Sequence, residues 1–214
     1  MVFTQKIYFN NKPMILTNDS AGYIHQHKAA EGYLLLKGAF TRNFRLATEH
    51  LSRLTSMGAI IEDISHEALL QELHKQYIPI DAAGGVVYNE DDNILMIYRR
   101  GKWDLPKGKR DDDEDMTTCA LREVAEETGL KNLSIQDTIG NTYHIYDQGG
   151  IRLLKTTSWF LMSGTKNEPL IPQKEENISE VKWVSEKEMT TLLYKSYEAI
   201  RTILLSAAAI KKAK

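Results

Sequence analysis

Cysteine is almost absent from this 214-residue sequence, and that scarcity is informative. With Cys119 alone, the chain can form neither an internal disulfide nor a cysteine-built zinc cluster. Cys119 stands in TTCALREV with no histidine nearby in sequence to activate a thiolate, so helix packing is its expected role. Net charge is also scarce: 27 lysines and arginines against 29 aspartates and glutamates leave −2 at pH 7. That balance gives no global electrostatic footprint for nucleic acid or an anionic membrane, and neither is an expected partner. No apolar run approaches the roughly 20 residues that span a bilayer. The opening MVFTQKIYFNNKP lacks the basic, apolar and small-residue regions of a signal peptide, so the expected location is cytoplasmic.

What is present suffices for a folded α/β protein. Hydrophobic residues make up 42% of the chain, enough to fill one generous core or two small ones. KIYFN and MILTN read as a hairpin joined by Asn11, Lys12 and Pro13, and YLLLKGAF as a further strand. Residues 42 to 56 carry Phe44, Leu46, Leu51 and Leu54 at helical spacing; residues 58 to 62 suit a strand and HEALLQELHKQY a helix. These elements form a small α/β unit over residues 1–80. A second region, 81–214, opens with two strands around an Asn/Asp-rich turn, continues through a helix and strands at 133 to 146 and 151 to 162, and ends in one long amphipathic helix from Glu186 onward.

The chemistry concentrates in WDLPKGKRDDDEDMTTCALREVAEETGL, residues 103 to 130. Asp115 can cap a helix of about 13 residues, and Gly129 supplies the residue that tolerates a left-handed conformation after its last turn. At about 100° per residue, Glu123, Glu126 and Glu127 share one face, while Ala120, Leu121, Val124 and Ala125 lie towards the other. Like charges at that spacing repel by a few tenths of a kcal/mol per pair in water and by more where shielded. A solvated acidic face relieved by Arg122 is one resolution. A hard divalent cation is the other, and Mg²⁺ suits it, because it takes a few carboxylates and shares its remaining sites with substrate phosphate.

The wider spacing favours the cation. Gly108, five residues, Glu114, seven residues, then Arg122, Glu123, Val124, Glu126, Glu127, Gly129 and Leu130 together resemble the Nudix box at every position. The resemblance implies an α/β/α sandwich with a mixed sheet, preceded here by the small α/β N-terminal unit. It also implies hydrolysis of a nucleoside diphosphate linked to another moiety, with Mg²⁺, or Mn²⁺ as a substitute. Glu123, Glu126 and Glu127 are then the implied metal ligands, Arg122 and Glu114 the pair that orients them, and Gly108 a turn that lets backbone oxygen approach the metal. Glu127, Glu175 and Glu176 are the candidate general bases.

Further expectations concern the substrate. Lys107, Arg110, Arg99 and Arg100 crowd the strand end and loop before the helix, where cations suit phosphates. WDLPKG is similar to the run found in Nudix enzymes that act on dinucleoside polyphosphates or diphosphoinositol polyphosphates. Tyr146 and Lys155 resemble the phosphate-chain tyrosine and lysine of that subgroup. The competing activities are a sanitising nucleoside triphosphate pyrophosphatase and a nucleotide-sensing regulator without catalysis. Residues 1–80 match no motif; an extension of the substrate pocket or a homodimer surface are the roles open to them.

Overall fold

Asn10 and Asn11 both adopt positive φ, 52° and 62°, and close the hairpin between β1 (Thr4–Phe9) and β2 (Lys12–Thr17). Asparagine tolerates this left-handed backbone better than most residues. The turn therefore lies one residue earlier than the sequence indicates, and Lys12 and Pro13 belong to β2. β1 pairs antiparallel with β2 and parallel with β9 (Leu133–Gln148), so the sheet is mixed. β2 and β3 (Leu34–Lys37) each run parallel to β4 (Ala59–Glu62).

The computed structural model describes residues 1–213, and they divide into two units. The first comprises Met1–Ile80 with Tyr143–Lys155. Alternation along β2 builds its two cores. Met14 and Leu16 face Phe44, Ala47 and Leu51 of α2 (Thr41–Leu51) and Leu69 and Leu73 of α3 (His66–Gln76). Ile15 faces Tyr23 of α1 (Ser20–Gln26), together with Ile60. Leu54, which the spacing placed on α2, follows the helix end and is exposed. The tip of the hairpin formed by β9 and β10 (Ile151–Gly164) clusters with this unit and not with residues 81–214, because Ile145 and Leu154 pack among Ile7, Phe9 and Tyr77.

The second unit comprises Asp81–Thr142 and the chain from Thr156 onward. Its strand order is β11-β6-β5-β10-β9, with β5 (Ile78–Tyr88), β6 (Ile94–Arg99) and β11 (Ile178–Val184). Two short strands, β7 (Lys102–Asp104) and β8 (Lys107–Lys109), pair with β6 and β5 respectively. Alternation on β6 again assigns the faces. Leu95 packs with Cys119, Ala120 and Val124 of α4 (Met116–Thr128). Met96 packs on the opposite face with Ile200, Ile203 and Leu204 of α6 (Glu198–Lys212). Helix, sheet and helix form the sandwich.

The C-terminal helix is broken rather than continuous. α5 (Glu186–Leu192) ends in a short 3-10 turn, and α6 starts after Tyr197. The amphipathic pattern continues across the break, but Ser196 adopts extended geometry beside β7 and its hydroxyl donates to the Trp103 carbonyl at 2.8 Å. A continuous helix could not make that contact.

Candidate active site

α4 carries the site, and its ends are fixed by local chemistry. The Asp115 carboxylate accepts the N–H groups of Thr117 and Thr118 at 2.9 and 3.0 Å, and Gly129 closes the helix at φ +81°. Cys119, Ala120 and Val124 are buried against the sheet, which turns Glu123 and Glu126 outward.

Arg122 is the hub. Nε and Nη2 donate to the two oxygens of Glu114 at 2.9 and 2.8 Å. Nη1 reaches Glu123 at 2.7 Å and Glu126 at 3.2 Å, and Nη2 also donates to the Lys109 carbonyl at 3.0 Å. These charge-assisted bonds hold Arg122 above its ordinary pKa and bring the Glu114 carboxyl down to about 2. The folded value of Glu114 lies below its ordinary 4.5, so its stabilising contribution is present above pH 4.5 and is lost as pH falls towards 2. Unfolding free energies of wild type and Glu114→Gln should therefore converge across that window; a constant gap would show that the pair is not the cause.

Glu127 is placed differently. It is 1% exposed, and its oxygens accept from Arg99 Nη1 at 3.0 Å and from the Lys107 backbone N–H at 2.9 Å. Burial outweighs both donors and pushes its pKa up to about 7. Arg99 also lies 3.6 Å from Glu176, in the 3-10 turn before β11, so one guanidinium joins the helix to the later loop. Period-two alternation carries Arg99, two residues beyond Ile97 and four beyond Leu95, onto the α4 face, whereas Arg100 turns outward at φ 51°. Of this pair Arg99, not Arg100, reaches the glutamates; the parity of β6 was the signal that could have found it.

Gly108 sits in β8, opposite Ala83, and not in a turn. Its lack of a side chain matters because a Cβ there would overlap the Glu123 carboxylate. That carboxylate is the end of a flexible side chain and can swing aside. Gly108→Ala is accordingly expected to fold with a nearly unchanged melting temperature but to lose about tenfold or more in kcat, by dragging Glu123 off Arg122. Wild-type turnover would show that the close approach has no role.

Two of the cations expected at the substrate already have partners within the protein. The Lys107 ammonium lies 2.6 Å from Asp104 and is only 16% exposed, so a buried carboxylate already occupies it. Arg110 is held by the Glu114 carbonyl at 3.1 Å and by Asp81 at 3.5 Å. Tyr146 and Lys155 belong to the N-terminal unit, because their strand segments pack there.

Among the described residues no three carboxylate, imidazole or thiolate side chains converge as a metal cluster. The reason is visible: Arg122 and Arg99 supply the positive charge, and the carboxylates point at them. The donor set of Glu123, Glu126, Glu127 and neighbouring carbonyls is all hard oxygen, which fits a hard divalent cation.

A sandwich bearing an acidic helix face braced by arginine, with this donor chemistry, defines a candidate site for a hard cation. The NUDIX domain family model matches residues 79–205, and the chain belongs to that family, whose hydrolases use divalent metal ions and act on nucleotide substrates. An RNA pyrophosphohydrolase of Pelagibacter ubique is 32% identical over 136 residues, covering 56% of this chain and 85% of that protein. The mRNA-decapping enzyme subunit 2 of Saccharomyces cerevisiae is 30% identical over 140 residues, 63% of this chain but 14% of that much longer protein. A C. elegans Ap4A hydrolase structure shares the fold at TM-score 0.50 and 21% identity, covering 63% of this chain and 99% of its own. No described helix is long and apolar enough to cross a membrane.

Proposed function

We propose that the divalent ion is Mg²⁺, with Mn²⁺ able to substitute, and that the substrate is either a dinucleoside polyphosphate or a diphosphoinositol polyphosphate, cleaved at a phosphoric anhydride bond. The observation that carries this reading is the face formed by Glu123, Glu126 and Glu127 with arginines threaded between the carboxylates. When bound, the ion supplies charge to offset that of the diphosphate and lowers the pKa of the attacking water. Glu123 and Glu126 would hold it from the exposed side and Glu127 from the buried side. Arg99, which donates to Glu127 and lies beside Glu176, would supply positive charge for a phosphate oxygen at this face. Exposed Arg100 and Lys109 extend the positive surface on the same unit, which suits a chain of several phosphates. Glu176, half exposed and linked to the helix through Arg99, is the general base in this reading.

A second reading is favoured by one comparison: the likeness to an RNA pyrophosphohydrolase over most of that protein's length points to RNA as the moiety that carries the phosphates. One screen tests both. With Mg²⁺ present, a tetraphosphate-bridged dinucleoside or a diphosphoinositol polyphosphate should exceed ADP-ribose in kcat/KM by about tenfold or more, since each added charge-assisted contact contributes about 1.5 to 3 kcal/mol. A 5′-triphosphate oligoribonucleotide that outperforms them assigns the second reading. Preference for ADP-ribose or a monomeric nucleoside triphosphate sinks both, while the family chemistry stands.

A further inference from the structure

The turn between β7 and β8 contains a buried ion pair that no part of the reaction described above requires. Asp104 is 3% exposed. One of its oxygens accepts the Leu105 N–H at 2.9 Å, and the other meets the Lys107 ammonium at 2.6 Å. The same ammonium donates to the Leu105 carbonyl at 3.3 Å, so the side chain of Lys107 folds back over its own turn. Withdrawing two charges from water is costly, so such a pair is weak evidence for net stability, and fixing one geometry is the other role open to it. What it fixes is identifiable. The backbone N–H of Lys107 points the other way, to Glu127 Oε2 at 2.9 Å, and Arg99 holds the second oxygen of the same carboxylate at 3.0 Å. β7 pairs with β6, and β8 with β5, so the turn spans the two strands that flank Glu127's donors.

We propose that Asp104 is a positioning residue for Glu127: by neutralising and anchoring the Lys107 ammonium, it sets the turn whose backbone N–H holds the glutamate. Lys107 is then a structural anchor through its side chain and a donor through its backbone, and not a phosphate ligand. The inference rests on the assignment of Glu127 to the catalytic face. It differs from the substrate reading in its observable, because Asp104 and the Lys107 ammonium bond to each other and to their own turn.

The test uses Asp104→Asn, Lys107→Met and the double variant in the full chain, with two independent readouts. The first needs no metal and no substrate: amide hydrogen exchange at Lys107, compared with Gly108 and Lys109 in the same strand. Asp104→Asn should lower protection of the Lys107 amide selectively, by about tenfold or more. The second is steady-state kinetics on whichever substrate the wild type turns over best. Asp104→Asn and Lys107→Met should each lower kcat by about tenfold with KM changed by less than about threefold, and the double variant should be no worse than the poorer single one, since both act through one contact. If Asp104→Asn fails to fold because it strands a buried ammonium, the double variant, which leaves no unpaired charge, is read instead. Unchanged protection at Lys107 overturns the proposal. So does a Lys107→Met variant that raises KM about tenfold at constant kcat, since that is the signature of a lysine binding substrate. A failed substrate screen leaves the exchange measurement decisive, so the two readings fail separately.

Discussion

Glu126→Gln and Glu127→Gln are each expected to lower turnover by about 100-fold or more while the protein stays folded, because the amide keeps the volume and loses the charge a divalent ion needs. The two should differ in stability. Glu126 is half exposed and pairs with Arg122 at 3.2 Å, so its substitution should leave the melting temperature almost unchanged. Glu127 is fully buried with a pKa of about 7, against an ordinary 4.5. A carboxyl whose folded pKa is raised contributes stability that is fully present below pH 4.5 and is lost as pH rises through about 7. The amide does not titrate. The melting temperature of Glu127→Gln relative to wild type, measured without metal, should therefore improve between pH 5 and pH 8, by roughly the cost of ionising a desolvated carboxyl. A trend of opposite sign would mean that Arg99 and the Lys107 N–H stabilise the charge more than burial opposes it. Near wild-type turnover in either variant at saturating Mg²⁺ would remove the acidic face from the chemistry.

The acidic helix was legible from sequence because each of its features is local. An aspartate cap, a glycine terminator and glutamates at helical spacing depend on no distant residue, and Asp115, Gly129, Glu123 and Glu126 stand where that pattern puts them. What the sequence hid is what depends on pairing. Lys107 carries a phosphate-binding pattern, but a buried aspartate three residues earlier takes its charge, and burial cannot be read from WDLPKG. Arg99 and Arg100 are indistinguishable by composition; only the strand parity fixed by Leu95 and Ile97 separates them. The break between α5 and α6 was hidden for a similar reason: the apolar period runs through it, and the hydroxyl of Ser196 finds its acceptor 93 residues away. Tyr146 and Lys155 resemble residues of a subgroup, and such a likeness says nothing of packing: their hairpin tip clusters with the core of the N-terminal unit.

Removing the hub should be the most damaging single change. Arg122 satisfies both oxygens of Glu114, which is 10% exposed at its side chain, and one oxygen of Glu123, which is 13% exposed. Arg122→Met keeps the stem and deletes the guanidinium's bonds to Glu114, Glu123, Glu126 and the Lys109 carbonyl at once. Breaking a buried pair from one side costs about 3 to 5 kcal/mol, and the partial exposure here argues for the lower end. Turnover should fall about 100-fold or more, since Glu123 and Glu126 lose the group that aims them. Arg122→Lys should rescue little, because a point ammonium cannot serve both oxygens of Glu114 together with Glu123, Glu126 and the Lys109 carbonyl. The decisive variant is Glu114→Gln combined with Arg122→Met. It removes the stranded carboxylate, so denaturant unfolding should recover much of the lost stability while turnover stays low. If the double variant regains turnover as well, Arg122 acts only by supporting the fold; if it regains neither, the damage arises at Glu123 and not at Glu114.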